Sequence, residues 1–451
     1  MQESLTRFLT PDHLIRVNAH LRVLLLDLRM LGTAGNKCNA VMRGLLLCLL
    51  LSTIMFLLYC SMLPTQVDIR GSQEDTCALN MANPLNKNLP WPSRRLQTDT
   101  CSPSGNIMFM KTHKTASSTL LNILFRFGEK HNLKFALPDG RNDFFYPSPF
   151  SRWQVKSYQP GECFNVVCNH MRFDPREVAA LLPPDAAYVT ILRHPARLLE
   201  SAFHYYGRAV PLTWSIGGDN KLEEFLRSPR TFYRAHAYNA FYLKNLLLFD
   251  LGSDNNLDAD HPGVTEAIRS LSRRFHLVLI AEYFDESLIL LKETLCWSME
   301  DILYFKLNAR ASSSVTRMNP ESSDRALGWN GADWRLYRHF NATLWDKVEV
   351  YGRERMKRDV AELRRRNADM RVLCLEGGEA VEAPRIRDRR FLPWQPLGGK
   401  PILGYNLRKD IRPKLRTVCE KMLTPEIQYL ADLGVSLWLT RLWGWLKDVL
   451  Y

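Results

Sequence analysis

Lysine, histidine and small hydroxyl residues crowd into "KTHKTASST", Lys111 to Thr119. Such side chains handle anions. Ammonium groups supply point charge, small residues let backbone N–H groups approach oxygen atoms, and histidine moves protons near neutrality. A second set lies further on, in "LRHPARLLESAFHYY", where Arg193 precedes Ser201 by eight residues. An arginine and a serine so spaced could both reach a phosphate. His170, which ends "CFNVVCNH", is the candidate general base. Each feature has an ordinary alternative: a serine-capped basic loop, a surface arginine on an amphipathic helix, a structural histidine. The G-x-x-x-x-G-K-[ST] loop is absent, which counts against a nucleotide kinase.

The flanking elements decide how these residues are presented. "NIMFM" carries a continuous short apolar run, as expected of a strand buried on both faces. "SSTLLNILFRFGEKH" reads as a helix, with Ser/Thr at its start and Gly128 near its end. Lys111 to Ser118 therefore lie between a strand and a helix N-terminus, where free N–H groups and the helix dipole attract anions. "CFNVVCNH" and "AAYVTILR" are two more buried strands, so His170 and Arg193 fall at strand carboxyl ends, where ligands bind in such sheets. "PARLLESAFHYY" starts a helix at Pro195, and "HLVLIAEYFDESLILLKETL" repeats strand then helix. The alternation predicts an α/β fold with a central, mostly parallel sheet flanked by helices.

The 451 residues carry 60 Lys and Arg against 47 Asp and Glu, a net charge of +13 that suits an anionic ligand or a membrane surface. No long basic run, zinc-finger or RNA-binding signature is present, so nucleic acid is not an expected partner. Gly44 to Leu63 are 20 residues without a charge, enough to cross a bilayer. Arg7, Arg16, Arg22, Arg29, Lys37 and Arg43 precede them against Glu3, Asp12 and Asp27, which predicts a cytoplasmic N-terminus and a retained signal anchor. Met1 and Met42 both fit as start sites. The expected organisation is a tail at 1–43, the span at 44–63, a turn-rich stem at 64–104, a catalytic domain at 105–423 and a Trp-rich amphipathic helix at 424–451. That last helix either packs on the core or lies at a membrane surface. Seven cysteines follow the span (Cys77, Cys101, Cys163, Cys168, Cys296, Cys374 and Cys419), an odd number that leaves one thiol over after intrachain pairing. Asn341 opens "NAT", an N-glycosylation acceptor pattern.

Taken together, the two phosphate-type motifs resemble those of sulfotransferases that use 3′-phosphoadenylyl sulfate. "FMKTHKTASSTLLNILFRFG", "GRNDFFYP", "CNHMRF", "FHYYG", "VPLTW", "EYFDESL", "LYFKLNAR", "ILGYNL" and "LTPEIQYL" are similar to galactose-3-O-sulfotransferases, from about Asn106 onward. Residues 1–41 depart from the short tail of that family. The resemblance implies a P-loop-like sulfotransferase fold, a Golgi membrane location with the catalytic domain lumenal, and a glycolipid acceptor with a terminal β-galactose, or else a glycoprotein glycan. It further implies that Lys111, Thr112, His113, Lys114, Thr115, Ala116, Ser117 and Ser118 hold the 5′-phosphosulfate. Lys114 would steady the leaving group, Arg193 and Ser201 would bind the 3′-phosphate, and His170 would act as base. "FKLNARASSS", with Lys306, Asn308 and Ser312, is placed to close over the nucleotide. No metal is expected. The rival readings are a Golgi glycosyltransferase, for which "DAD" at Asp258–Asp260 would be the metal motif, and a non-catalytic membrane-anchored lectin.

Overall fold

The computed structural model describes Cys77 and residues 101–315, 318–396 and 400–442, all within one compact unit, Glu74–Tyr451. The expected tail, the membrane span and most of the stem lie outside the described residues. Among those described, no helix is long and apolar enough to cross a membrane.

Five strands form one sheet: β1 (Ile107–Met110), β2 (Phe135–Ala136), β3 (Val166–Val167), β4 (Ala187–Leu192) and β5 (Leu277–Ile280). Their order is β2–β3–β1–β4–β5, and every pairing is parallel. β1 is central. Ile107 registers with Val166 on one side and Ala187 on the other, and all four β1 residues are buried. A strand covered on both faces has no position for a polar side chain, which is why "NIMFM" reads as continuous rather than alternating. From β1 the chain runs toward β2; from β4 it runs the opposite way, toward β5. The crevice between β1 and β4 is thus the reversal point at which α/β sheets bind ligands.

Helix α1 (Ser117–Lys130) follows β1, and α2 (Pro195–Tyr206) follows β4. Then come α3 (Leu246–Asp250), α4 (Phe284–Leu295), α5 (Gly331–Tyr351), α6 (Arg353–Cys374) and α7 (Glu426–Asp432). Gly128 does not end α1. It lies inside the helix, and a Cβ there would come within 2.1 Å of the Phe135 ring, so the glycine admits β2 against the helix. The main core joins both faces of the sheet to α1, α4, α5 and α6.

A further sequence expectation falls differently. The stretch from Thr424 is not one helix. α7 stops at Asp432, Gly434 turns the chain at φ 83°, and helix resumes at Trp438. Val435 and Leu437 are buried, and the Leu439 amide donates to the Gly140 carbonyl at 3.0 Å, so this part packs on the core. Trp443, Trp445 and Leu446 lie outside the described residues. Asn341, the glycosylation acceptor candidate, is half-buried within α5. The cysteines pair as Cys77–Cys163, Cys101–Cys296 and Cys374–Cys419, and the thiol left over is Cys168, buried after β3.

Candidate active site

The loop after β1 is held in shape by its own hydroxyls. Thr112 Oγ1 bonds the Ile191 carbonyl of β4 and lies 2.8 Å from Thr115 Oγ1, while Ser117 Oγ donates to the Thr112 carbonyl at 2.7 Å. These side chains are committed to the loop itself. What the loop offers is backbone. Lys114 and Ala116 are left-handed, at φ 57° and 67°, a spacing that curls successive N–H groups into an anion-binding nest. Ala116 is also the N-cap of α1 and provides no side-chain cap, leaving the first-turn amides open. The nest and the helix dipole then act on the same space.

Charge enters from four directions. Lys114 lies 3.5 Å above the Tyr205 ring, and burial, followed by Arg310, Arg193 and Lys111, lowers its pKa from 10.5 to about 7. Arg193, just past β4, donates to the Lys114 carbonyl at 2.8 Å. Arg310 stands on the short strand Ala309–Arg310, bonded to buried Glu200 of α2 at 2.6 Å, with its Nη1 buried and without a hydrogen-bond partner. Ser201, next to Glu200, is buried. Lys111 is different. Its ammonium is 1% exposed and paired with Glu426 of α7 at 3.0 Å, and Ser118 Oγ donates to the same carboxylate at 3.2 Å. The segment 307–310 crosses the start of α1, with the Leu307 amide on Thr119 Oγ1 at 3.0 Å and Asn308 near Ser118.

Two histidines meet beside the loop. The His113 and His170 rings stack at 4.0 Å, 10° from parallel. His170 Nδ1 is 3.0 Å from the Lys111 carbonyl, a contact that requires Nδ1–H and leaves the Nε2 lone pair free. Burial, then His113 and Lys111, hold the His170 pKa well below its ordinary 6.5, so the ring is neutral. His113 Nδ1 lies 2.9 Å from Asp250, the last residue of α3. Asp250 is fully buried and also accepts from the His113 amide at 2.8 Å and Tyr146 Oη at 2.7 Å. Tyr206 and Tyr242, stacked at 3.8 Å, meet His113 edge-on, and burial keeps both phenols neutral.

The sequence-predicted residues thus converge in part. The loop, Arg193 and His170 come together, Ser201 lies two turns into α2, and Lys111 is engaged by Glu426 instead of facing the crevice. Of the segment expected to close over the nucleotide, Asn308 touches the site through Ser118 Oγ at 3.4 Å. Asp250, Tyr146, Glu426 and Arg310 escaped the residue-by-residue reading. The signal for Asp250 was a lone acid closing the apolar run "LLLFD"; the others sit inside strings noted only for their resemblance. Asp258 and Asp260 are exposed on a loop, and among the described residues no group of three or more His, Cys, Asp or Glu is placed to hold a metal ion.

A family model, Galactose-3-O-sulfotransferase, matches residues 28–437. Galactosylceramide sulfotransferase of Mus musculus is 54% identical over 413 residues, covering 92% of this chain and 98% of that protein. The Homo sapiens protein of the same name is 59% identical over 350 residues, 78% of this chain and 83% of its own. Galactose-3-O-sulfotransferase 2 of Homo sapiens is 45% identical over 336 residues, 73% and 83% of the two chains. The glycosyltransferase and lectin readings fall away: this chain belongs to the galactose-3-O-sulfotransferase family.

Proposed function

We propose that the chain transfers the sulfuryl group of 3′-phosphoadenylyl sulfate to the 3-hydroxyl of the β-galactose of galactosylceramide, giving the sulfated glycolipid. The acceptor is inferred from the names of the mouse and human relatives. The observation that supports the chemistry is a neutral His170 with its Nε2 lone pair free, beside a loop that presents a nest of amides and Lys114. The acceptor O3–H gives its proton to His170 Nε2 as the O3–S bond forms. The S–O bond to the 5′-phosphate breaks, and the charge on that oxygen falls to the amides of Lys114 to Ser118 and to the Lys114 ammonium. Arg193, Ser201 and Arg310 take the 3′-phosphate, with Arg310 Nη1 supplying a buried donor that has no partner among the described residues.

A second reading of the base has its own observation. His113 is oriented by the Asp250 carboxylate at Nδ1, which leaves its Nε2 as the other candidate acceptor. His170 would then position it by stacking. The pH profiles of His113→Ala and His170→Ala distinguish the two: the variant that has lost the base loses the acid limb of the profile.

The test of the function is incubation of the full chain, in detergent, with donor labelled in sulfate and a panel of galactosides. Label at O-3 of galactosylceramide and of other β-galactosides supports it; no label on any galactoside, with sugar transferred when a UDP-sugar is supplied instead, would overturn it. Transfer proceeds without a metal, so EDTA leaves the rate unchanged, and a loss reversed by Mn²⁺ alone would count against this mechanism. The span at 44–63 anchors the chain with residues 64–451 in the Golgi lumen. The three disulfides fit such an oxidising compartment. Protease protection of the catalytic part in intact vesicles tests the topology.

A further inference from the structure

We propose that segment 207–240, between α2 and α3, is a bilayer-docking surface anchored by Trp214 and Tyr238, and that it holds the active site at the height of lipid headgroups. This rests on the glycolipid reading above.

Trp214 is 60% exposed and Tyr238 69% exposed. The Trp214 indole N–H donates to the Arg208 carbonyl at 3.1 Å, so its polar edge is satisfied while the hydrocarbon face stays in solvent. Asn239, left-handed at φ 60°, donates from Nδ2 to the Ala209 carbonyl at 2.7 Å. That bond fastens the Tyr238 turn to the same 207–209 turn that orients Trp214, so both rings are displayed from one patch. The patch has a firm base: Val210, Ile216, Leu222, Phe225 and Leu226 are buried with Phe203 of α2 in a small core of their own. Exposed rings on a firm base are costly in water unless something apolar covers them.

The occupant is identified by charge and by place. Arg208, Lys221, Arg230 and Arg234 are exposed in the same segment. Of its acids, Glu224 is engaged with Arg227 and Glu223 with Ser322 and Arg325, and exposed Asp219 is the third, so positive charge stays in excess. Exposed tryptophan and tyrosine rings in a segment with an excess of cations fit the boundary between acyl chains and anionic headgroups. The patch also continues into the active site. Tyr206 directly precedes the segment, stacks on Tyr242, and both meet the His113 ring. A galactose one bond from a ceramide rises only a few ångströms above the bilayer, roughly the depth of the headgroup layer. A catalytic site can reach it only if the surface beside that site rests on the membrane.

The test uses the full chain reconstituted in vesicles of phosphatidylcholine with about one-fifth phosphatidylserine, a photoactivatable phosphatidylcholine, and galactosylceramide. Photolabel should appear on peptides containing Trp214 and Tyr238. Trp214→Ser with Tyr238→Ser should raise KM for galactosylceramide in vesicles by about tenfold and leave kcat for a water-soluble β-galactoside unchanged. Trp153→Ser removes another exposed tryptophan, 56% accessible on a separate turn, and should change neither. Label absent from both peptides, an unchanged vesicle KM, an equal effect of Trp153→Ser, or a matching fall with the soluble substrate would each overturn the proposal. If no β-galactoside is sulfated at all, the functional reading fails on its own, and the photolabel still reports whether the surface docks.

Discussion

Two imidazole rings stacked at 4.0 Å repel each other strongly if both are cationic, so a charge on one disfavours a charge on the other. That constraint, added to burial, explains why His170 stays neutral below its ordinary pKa. It follows that kcat/KM should hold on the acid side past pH 6.5 before falling, which a pH–rate profile measures directly. Lys114 works in the opposite sense. With its pKa lowered to about 7, it is largely neutral in the free enzyme on the alkaline side, and a polyanionic donor must restore the proton. Donor binding at about pH 8 should therefore take up a proton, visible as a binding enthalpy that depends on the buffer's ionisation heat; at about pH 6 the uptake should vanish. Asp250→Asn keeps the shape of the His113 support but removes its charge. We expect kcat to fall by about 10²–10⁴-fold with donor affinity nearly intact, and parallel losses of both would mean that Asp250 only supports the fold. Residue types made Lys114, Arg193 and His170 legible from sequence. Asp250 was not, because its role depends on a partner 137 residues away, and a lone aspartate in an apolar run carries no local mark of that partner.

At the scale of elements, the sheet was legible because strands buried on both faces must be short and mostly apolar, as Ile107–Met110 and Ala187–Leu192 are, and the one buried hydroxyl among them, Thr190, donates to the Met110 carbonyl. The loop after β1 was legible as a strand-to-helix turn from its small and hydroxyl residues, but its left-handed turns at Lys114 and Ala116 were not. Glycines misled the reading. Gly128 looked like a helix stop but serves packing, and Gly434 breaks a segment whose apolar pattern is otherwise continuous. Gly252 shows what such a position is worth. It follows α3 at φ 89°, and a Cβ there would lie 2.2 Å from the Phe173 carbonyl oxygen. The same stretch is tied down by the Phe173 amide donating to the Asp250 carbonyl at 2.9 Å. Gly252→Ala should destabilise the protein by about 2–4 kcal/mol, read by chemical denaturation, because neither the backbone clash nor the left-handed strain can be relieved without shifting Asp250. Activity should fall with it, since Asp250 orients His113.

Across the whole molecule, the disulfides join segments that the sheet alone leaves apart. Cys101 near the start of the catalytic part is bonded to Cys296 just after α4, and Cys374 at the end of α6 to Cys419. The odd cysteine count correctly implied a single thiol left over from intrachain pairing, but which one depended on burial that only the fold provides. Burial pushes the Cys168 thiol well above its ordinary pKa. Alkylation of the native protein should leave the Cys168 peptide unmodified, denaturant should expose it, and the six paired cysteines should react only after reduction; labelling of Cys168 in the native state would show that the β3 end is open to solvent. One long-range contact also sets the order in which the enzyme is built. Glu426 reaches across 315 residues of sequence to neutralise Lys111 and to hold Ser118 at the head of α1. The loop after β1 is synthesised long before Glu426, so for that interval the nascent chain has Lys111 uncompensated and Ser118 untied. A chain halted just short of Glu426 should bind the sulfate donor more weakly than the full chain, and equal binding would show that this contact does not set the site.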